Sequence, residues 1–314
     1  MEKADSGFDS APARLDVGGR PLIEVVRWAR AALGAGAPEL ELEVPDPDSA
    51  PGHWLGALRE DGAPQRGWRA WLDLAELLRC RFHTPIRLGV DRLSLRLTRL
   101  GPEASFHGGD RGPERYAGAS EFAAMRKLEH PGFLLPLLEA LERTRPPDGG
   151  SVLVLGCHRG DEIAALGWLD PPPQGLRVIG VDHAAEPLEE ARRLHPHARF
   201  ELVDVNELPE QLGSFDLVIA IDVMQGPAVD DKALLRRLVQ HHLVPRGRLL
   251  LGVPNSRFRG GEVLLGARTR NYREPDLSLV VRDLAAYGRY LHQHGFVTHV
   301  GGRYDLLLSA WRGR

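Results

Sequence analysis

A short glycine-containing turn follows one of the most apolar runs of the sequence. Residues 151–155, SVLVL, are followed by GCHRG (156–160) and then by a helical segment that opens with Asp161 and Glu162. Glycines let the backbone approach a ligand closely, and the start of a helix offers unpaired N–H donors. The pattern therefore predicts that the turn from Gly156 to Gly160 contacts a bound ligand.

Acidic residues end three further apolar runs. Asp182 follows LRVIGV, 26 residues beyond Gly156, where a carboxylate can accept both hydrogen bonds of a ribose diol. Asp204 follows ARFELV, and with Val205 it is placed to meet an adenine, whereas Asp222 follows FDLVIAI beside the predicted reaction zone. Each aspartate alone could be a helix cap. The glycine turn and the three carboxylates together favour a cofactor that contains a nucleoside.

The elements that carry these residues alternate between apolar strands and helices from residue 151 onward. That order is typical of a parallel sheet with helices on both faces, in which ligands lie at the carboxyl ends of the strands. Only GGR separates the last two strand candidates, FVTHV and YDLLLSAW, which predicts an antiparallel hairpin. The predicted fold is α/β, with a doubly wound seven-stranded sheet, parallel except for a C-terminal antiparallel hairpin, plus a small N-terminal α+β unit. The predicted parallel strands are SVLVL, LRVIGV, ARFELV, FDLVIAI and GRLLLGV, and the helical segments between them are DEIAALGWL, AAEPLEEARRLH, NELPEQLG and ALLRRLVQHHL.

The first half of the chain has a different pattern. PLIEVVRWARAAL (21–33) predicts a helix, ELELEV (39–44) a half-buried strand, WRAWLDLAELLRCRF (68–82) a second helix, and the alternating leucines of 93–97 another strand. We expect three regions. Residues 1–18 form a flexible arm, and residues 19–118 form the α+β unit with a Gly-rich loop, for acceptor recognition or dimerisation. Residues 119–314 form the cofactor domain with two preceding helices, the first capped by Ser120.

The second half resembles the class I, seven-stranded, S-adenosylmethionine-dependent methyltransferases over about 160 residues. The glycine turn, the strand-end carboxylates, the closing hairpin and PRGRLLLGVPN around the fifth strand carry the resemblance. It implies S-adenosyl-L-methionine as cofactor, with the turn glycines at its methionine part, Asp182 on the ribose and Asp204 on the adenine amino group. The family usually has an acidic residue where this chain has Val154, and a glycine where it has His158. The residues expected to bind the cofactor are Gly156, Cys157, Gly160, Asp182, His183, Asp204, Val205 and Asp222.

Methyl transfer from a sulfonium is an in-line displacement, so alignment and the exclusion of water supply most of the catalysis. A base is needed only where the acceptor atom carries a proton. Asp222 is the first candidate for that catalytic role by its position, and His158 is the second. The alternative interpretations are that Asp222 caps the next helix and that His158 only fills the turn.

An arginine-rich segment, NSRFRGGEVLLGARTRNYR (255–273), follows the fifth strand candidate. Arginine forks bind carboxylate and phosphate groups well, which favours a small anionic acceptor methylated on an O or N atom. A solvated basic face explains the same composition equally well. The residues expected to bind the acceptor are Asn255, Arg257, Arg268, Arg270 and Tyr272.

Composition and residue spacing count against several other classes of protein. A net charge of -3 counts against general nucleic-acid binding, and Cys80 and Cys157 have no disulfide or zinc spacing. A signal peptide and a membrane span are not expected, so the chain is predicted to be cytoplasmic, and a homodimer is one option. A nicotinamide fingerprint starting at Gly156 would need glycines where His158 and Asp161 stand. No metal site is expected.

Two functions from other classes stay open. The arginine-rich segment would suit an RNA-modifying methyltransferase, although the overall acidity counts against it. Val154 and His158 would suit a binding protein that kept the fold and lost turnover.

Overall fold

The computed structural model describes residues 12–48, 58–59, 62–101, 126–226, 228–259, 262–265 and 277–313. By internal packing the chain divides into two compact units, residues 1–103 with 258–264 and residues 104–257 with 265–314. The predicted boundary at 118/119 and the Ser120 cap lie outside the described residues. None of the described helices is long and apolar enough to span a membrane.

The first unit is a small sheet packed against helices. Its sheet runs β1-β2-β5-β3, with β4 also paired to β5, and β1–β2 is the parallel pair. Alternating Leu40, Leu42 and Val44 face a core shared with both helices, because every second side chain of a strand points to the same side. The elements are β1 (Ala13–Asp16), α1 (Leu22–Gly34), β2 (Glu39–Pro45), α2 (Trp68–Leu77), β3 (Cys80–Phe82), β4 (Ile86–Arg87) and β5 (Arg92–Arg99).

Two predictions for this unit are wrong. The predicted flexible arm is not flexible at its end, because residues 13–16 pair with β2 and Val17 is fully buried. The helix predicted over 68–82 ends at Leu77, and the chain continues as β3. Arg79 has a φ of +58°, in the left-handed region, which ends the helix and turns the chain into the strand.

The second unit contains the seven-stranded sheet, in the order β13-β14-β10-β9-β6-β7-β8. The pairs from β10 to β8 are parallel, and β14 is antiparallel to both β10 and β13, as the sequence predicts. Its strands are β6 (Ser151–Leu155), β7 (Arg177–Asp182), β8 (Arg199–Leu202), β9 (Phe215–Ile221), β10 (Leu243–Pro254), β13 (Phe296–Gly302) and β14 (Asp305–Arg312). Its helices are α3 (Pro131–Arg143), α4 (Asp161–Leu166), α5 (Ala185–Leu194), α6 (Asp231–His241) and α7 (Leu277–Gln293).

Helices cover both faces of this sheet. Val152 and Val154 of β6 pack with α3, α4 and α5, whereas Leu153 and Leu155 pack with α6 and α7. Both faces of the central strands are buried, which is why their sequences are continuous apolar runs. The carboxyl ends of five parallel strands are thereby fixed at one edge.

Two local predictions differ from the structure. NELPEQLG forms two 3-10 turns, Val205–Glu207 and Glu210–Leu212, because Pro209 interrupts the segment. The segment after β10, predicted to be irregular, contains β11 (Ser256–Arg259) paired with β12 (Glu262–Leu265).

Candidate active site

The glycine turn after β6 is held against the end of β7. Gly156 and Gly160 have φ values of +59° and +89°, and His158 between them is also left-handed, at +45°. The amide of Cys157 donates to Val181 O at 3.1 Å, and that of His158 donates to Asp182 Oδ2 at 2.8 Å. The backbone of the turn therefore has one fixed path beside Asp182.

Asp182 is 6% exposed and is oriented by two backbone amides. Its carboxylate accepts from His158 N at 2.8 Å and from Ala184 N at 2.9 Å. The imidazole of His183 is about half exposed, with Nδ1 at 3.5 Å from Asp182 Oδ1. A carboxylate has about four acceptor positions, so these contacts leave capacity for a diol.

Asp204 lies beside this group. Val203 N donates to Asp182 O at 2.9 Å, which places the end of β8 next to the end of β7. The exposed Asp204 side chain caps the 3-10 turn that begins at Val205, by accepting from Asn206 N at 2.8 Å. The Asn206 amide in turn donates to Ala228 O at 2.9 Å, which fixes the loop before α6.

The turn after β9 packs against the glycine turn, because β9 pairs with β6 on the side opposite to β7. Asp222 has a φ of +60°, a conformation that aspartate tolerates better than most residues, and its amide donates to Gly252 O at 3.0 Å. A Cβ placed on Gly156 would lie 2.6 Å from Val223 Cγ2. The structure thus brings the glycine turn, Asp182, Asp204 and Asp222 to one edge of the sheet, as predicted from the sequence.

Gln225 is a polar residue of this turn that the sequence did not single out. It is 2% exposed, and neither its amide nitrogen nor its amide oxygen has a hydrogen-bond partner within the described part of the chain. An unpaired buried polar group costs about 1–3 kcal/mol, so such an amide indicates a partner such as water or a ligand. A ligand with both donors and acceptors would satisfy it.

Lys127 connects two carboxylates at the same edge, and neither it nor Asp305 was predicted. Its ammonium contacts the carboxylate of Asp222 and lies 2.8 Å from Asp305 Oδ1. Burial alone would lower the pKa of Lys127, but the two carboxylates raise it above its ordinary value. Burial raises the pKa of Asp305 to about 7, and Asp222 adds to the effect while Lys127 opposes it. The one feature of the sequence that could have drawn attention to Lys127 is the rarity of lysine, since the sequence has only three: Lys3, Lys127 and Lys232.

Two other titratable groups lie in or next to the turn. Burial raises the pKa of the half-buried Glu162 carboxyl to about 8, and Asp161 and Asp222 add to this effect. Burial, with the nearby Asp182 and Glu162, also raises the pKa of the Cys157 thiol, so Cys157 is a packed, protonated residue. In the part of the chain that the structure describes, no group of three or more His, Cys, Asp or Glu is placed to hold a metal ion.

The predicted acceptor residues are only partly described. The Asn255 side-chain amide donates to Arg303 O at 2.8 Å, and the Asn255 backbone amide donates to Tyr304 O, so Asn255 holds the turn between β13 and β14. Arg257 lies in β11, and its side chain is not described. Arg268, Arg270 and Tyr272 lie outside the described residues.

Gly156→Ala tests the close packing of the two turns. We expect the variant to lose about 1–3 kcal/mol of unfolding free energy, because the added methyl must displace the stiff Val223 side chain at a left-handed φ. Urea unfolding measures the loss. Gly288→Ala in α7 is the control, because alanine favours helix and the added methyl would meet no described atom within 4 Å outside its own helix. Equal stabilities of the Gly156→Ala protein and the wild type would contradict the packing.

Glu162→Gln tests the burial of this carboxyl through the pH dependence of stability. The pKa in the folded chain, about 8, lies above the ordinary value of 4.5, so folding favours the protonated form. The wild type should therefore lose stability, relative to the variant, as pH rises from about 4.5 to about 8. Urea unfolding at several pH values measures the difference. The exposed Glu189→Gln is the control, and parallel curves for Glu162→Gln and the wild type would contradict the prediction.

Comparison with known proteins is consistent with this geometry. Residues 152–247 match a family model described as a methyltransferase domain. The chain is 37% identical over 122 residues to an uncharacterised 37.1 kDa transposon protein of Streptomyces fradiae, covering 38% of this chain and 33% of that protein. It is 33% identical over 182 residues to a trans-aconitate 2-methyltransferase of Variovorax paradoxus, covering 56% of this chain and 62% of that protein.

A solved structure is similar at a lower level. A SAM-dependent methyltransferase from Aquifex aeolicus is 15% identical, covers 60% of this chain and 96% of its own, and gives a TM-score of 0.43. The chain spans between 33% and 62% of the length of the two curated relatives named above. The family match runs from β6 into β10, across the strand ends that carry the site. Over residues 152–247, which carry the glycine turn and the strand-end carboxylates, the chain is therefore similar to methyltransferase domains.

Proposed function

We propose that the chain is an S-adenosylmethionine-dependent methyltransferase that acts on an O or N atom of a small, anionic molecule. The observation that carries the proposal is the grouping of Gly156, Asp182 and Asp222 at one sheet edge, inside the segment that matches the family model. That edge is where parallel α/β sheets bind their ligands.

The residues at this edge fit the cofactor. Gly156 has a left-handed φ and no side chain, which gives the turn its close path beside β7, and Asp182 has acceptor capacity for ribose hydroxyls. Asp204 and Val205 would meet the adenine. The unpaired amide of Gln225 supplies a buried donor and acceptor. When bound, S-adenosylmethionine supplies an electrophilic methyl group on a sulfonium.

Asp222 is the proposed proton acceptor. Its Oδ2 contacts Lys127, whereas its buried Oδ1 has no hydrogen-bond partner among the described residues. An O–H or N–H group of the acceptor would donate to Oδ1 and pass its proton there as the nucleophile forms its new bond. His158 keeps its place as the second candidate, because its amide binds Asp182 within the same turn.

An anionic acceptor is supported from two sides. Two curated relatives are named trans-aconitate 2-methyltransferases, from Variovorax paradoxus and an Azoarcus strain. Arg257, Arg268 and Arg270 supply guanidinium groups that suit carboxylates. The role of the first unit, in acceptor recognition or dimerisation, stays a prediction.

A carboxylate oxygen is the second candidate for the acceptor atom, favoured by the names of the same relatives. A carboxylate carries no proton at neutral pH, so its methylation needs no base. The two candidates give different products, because a methyl ester is cleaved by mild alkali and a methyl ether or amine is not.

The test is release of S-adenosylhomocysteine from S-adenosylmethionine with a panel of small acids. Trans-aconitate, hydroxycarboxylates and aminocarboxylates are compared with neutral alcohols and amines. We expect turnover with an acid of the panel, at an alkali-stable position. Turnover only with nuclease-sensitive extract fractions would favour an RNA substrate, and cofactor binding without turnover on extract or panel would favour a binding protein.

A further inference from the structure

We propose that Lys127, Asp222 and Asp305 form one positioning network, in which a single lysine holds two carboxylates so that the pair takes up the proton of a protic acceptor group. The inference rests on the proposed function and deepens it, because it assigns the acceptor a hydroxyl or amine nucleophile. Asp222 offers its Oδ1 to the acceptor, whereas Lys127 and Asp305 act through it.

The network joins three separate parts of the fold. Asp222 follows β9, Asp305 begins β14, and Lys127 belongs to a 3-10 turn, Lys127–Glu129, that precedes α3. β10 lies between β9 and β14, so the ammonium bridges two strands that are not neighbours. The register supports the bridge, since Asp305 pairs with Pro254 at the carboxyl end of β10.

The surroundings hold Lys127 in place. Its ammonium lies 4.7 Å from the ring centre of Phe133, a cation–π contact at the start of α3. Phe133 is buried in the core cluster of the sheet, so the lysine rests on a fixed support. Asp305 is 4% exposed, and its Oδ1 lies 2.8 Å from the Lys127 ammonium, so the buried carboxylate is paired with this cation.

The balance of charges within the network allows it to take up a proton. Two carboxylates share one ammonium, so one negative charge is balanced and the second is available to take up one proton. Such linked groups titrate as a unit rather than separately. Glu162, in the first turn of α4, is a further charged group beside the network, because Lys127 and Asp222 both act on its pKa, and Asp161 also acts on Glu162. The acceptor proton would enter at Asp222 Oδ1. The ammonium of Lys127 would then balance the one negative charge that remains on the two carboxylates.

The primary test is independent of turnover. The carboxyl carbon of Asp305, labelled with ¹³C and assigned with Asp305→Asn, is titrated by NMR in the full chain. In the wild type we expect the Asp305 carbon to titrate with an apparent pKa of about 7. Lys127→Met should move the titration up by about 1–3 pH units, and Asp222→Asn should move it down, because these residues act with opposite sign. Lys232→Met, an exposed lysine on α6, should leave it unchanged.

Turnover supplies the second readout. In Lys127→Met the acid limb of the kcat profile should move to higher pH, while S-adenosylhomocysteine affinity stays within about threefold, as for a base-dependent step. Lys127→Arg should restore the acid limb toward its wild-type position.

The proposal is overturned if Lys127→Met and Asp222→Asn move the Asp305 titration in the same direction or not at all. It is also overturned if Lys127→Met lowers kcat equally at every pH. Should Lys127→Met not fold, Asp222→Asn alone decides, through the downward shift. If the Asp305 titration moves in the expected directions but the wild type shows no turnover, the network is supported and the proposed function is rejected.

Discussion

Asp182→Ala is expected to weaken S-adenosylhomocysteine binding by about 1–3 kcal/mol, which corresponds to roughly 5- to 150-fold in Kd. The variant loses the proposed contact with the ribose hydroxyls. It also leaves the amides of His158 and Ala184 without the carboxylate that they bind at 2.8 and 2.9 Å. The glycine turn then loses its fixed path beside β7, so binding should fall even where the fold survives.

Asp182→Asn separates the contribution of Asp182 to ribose binding from its contribution to holding the glycine turn. Asparagine keeps one acceptor oxygen for a backbone amide but presents an N–H group where the second acceptor stood. We expect most of the stability in urea to be retained and the affinity, measured by calorimetry, to fall nearly as far as in the alanine variant. Unchanged affinity in the folded Asp182→Asn protein would show that Asp182 is only a structural cap.

Asp222→Asn is expected to lower kcat by at least about 100-fold on a hydroxyl or amine acceptor, the usual contribution of a general base. The amide cannot take up a proton, although it fills nearly the same volume. Initial rates at saturating S-adenosylmethionine measure the effect without interference from any change in cofactor affinity.

The control lies at the opposite end of the same strand. The carboxylate of Asp216, at the amino end of β9, accepts hydrogen bonds from the backbone amide and the hydroxyl of Ser151. Asp216→Asn should cost stability but leave kcat within about threefold, because it is remote from the carboxyl edge. Equal losses of kcat in the two variants would mean that Asp216 and Asp222 both act by supporting the fold. No loss in Asp222→Asn would favour a carboxylate acceptor.

The sheet and the cofactor edge follow closely from the sequence because the apolar runs carry strong periodic information. FDLVIAI predicts β9 at its observed limits, and the GGR spacer predicts the hairpin of β13 and β14. Asp182 and Asp222 were identifiable because a carboxylate directly after a buried strand is conspicuous. Strand order brings these positions together without any further information.

Contacts between distant segments could not be derived in the same way. Lys127 lies in a 3-10 turn outside the parallel sheet, and nothing in its neighbouring residues indicates that it reaches Asp305, 178 positions away. Gln225 is polar in a turn, where polar residues are ordinary, and only its burial makes it informative. The prediction for the arm was wrong because the four residues of β1 are too few to show periodicity.

Calorimetric titration of the wild-type chain with S-adenosylhomocysteine tests the central claim most directly. We expect binding with one molecule per chain, and no heat with NADH, because the turn and Asp182 suit a nucleoside but the nicotinamide fingerprint is not met at His158 and Asp161. No heat with S-adenosylhomocysteine at micromolar protein, together with saturable NADH binding, would contradict the account.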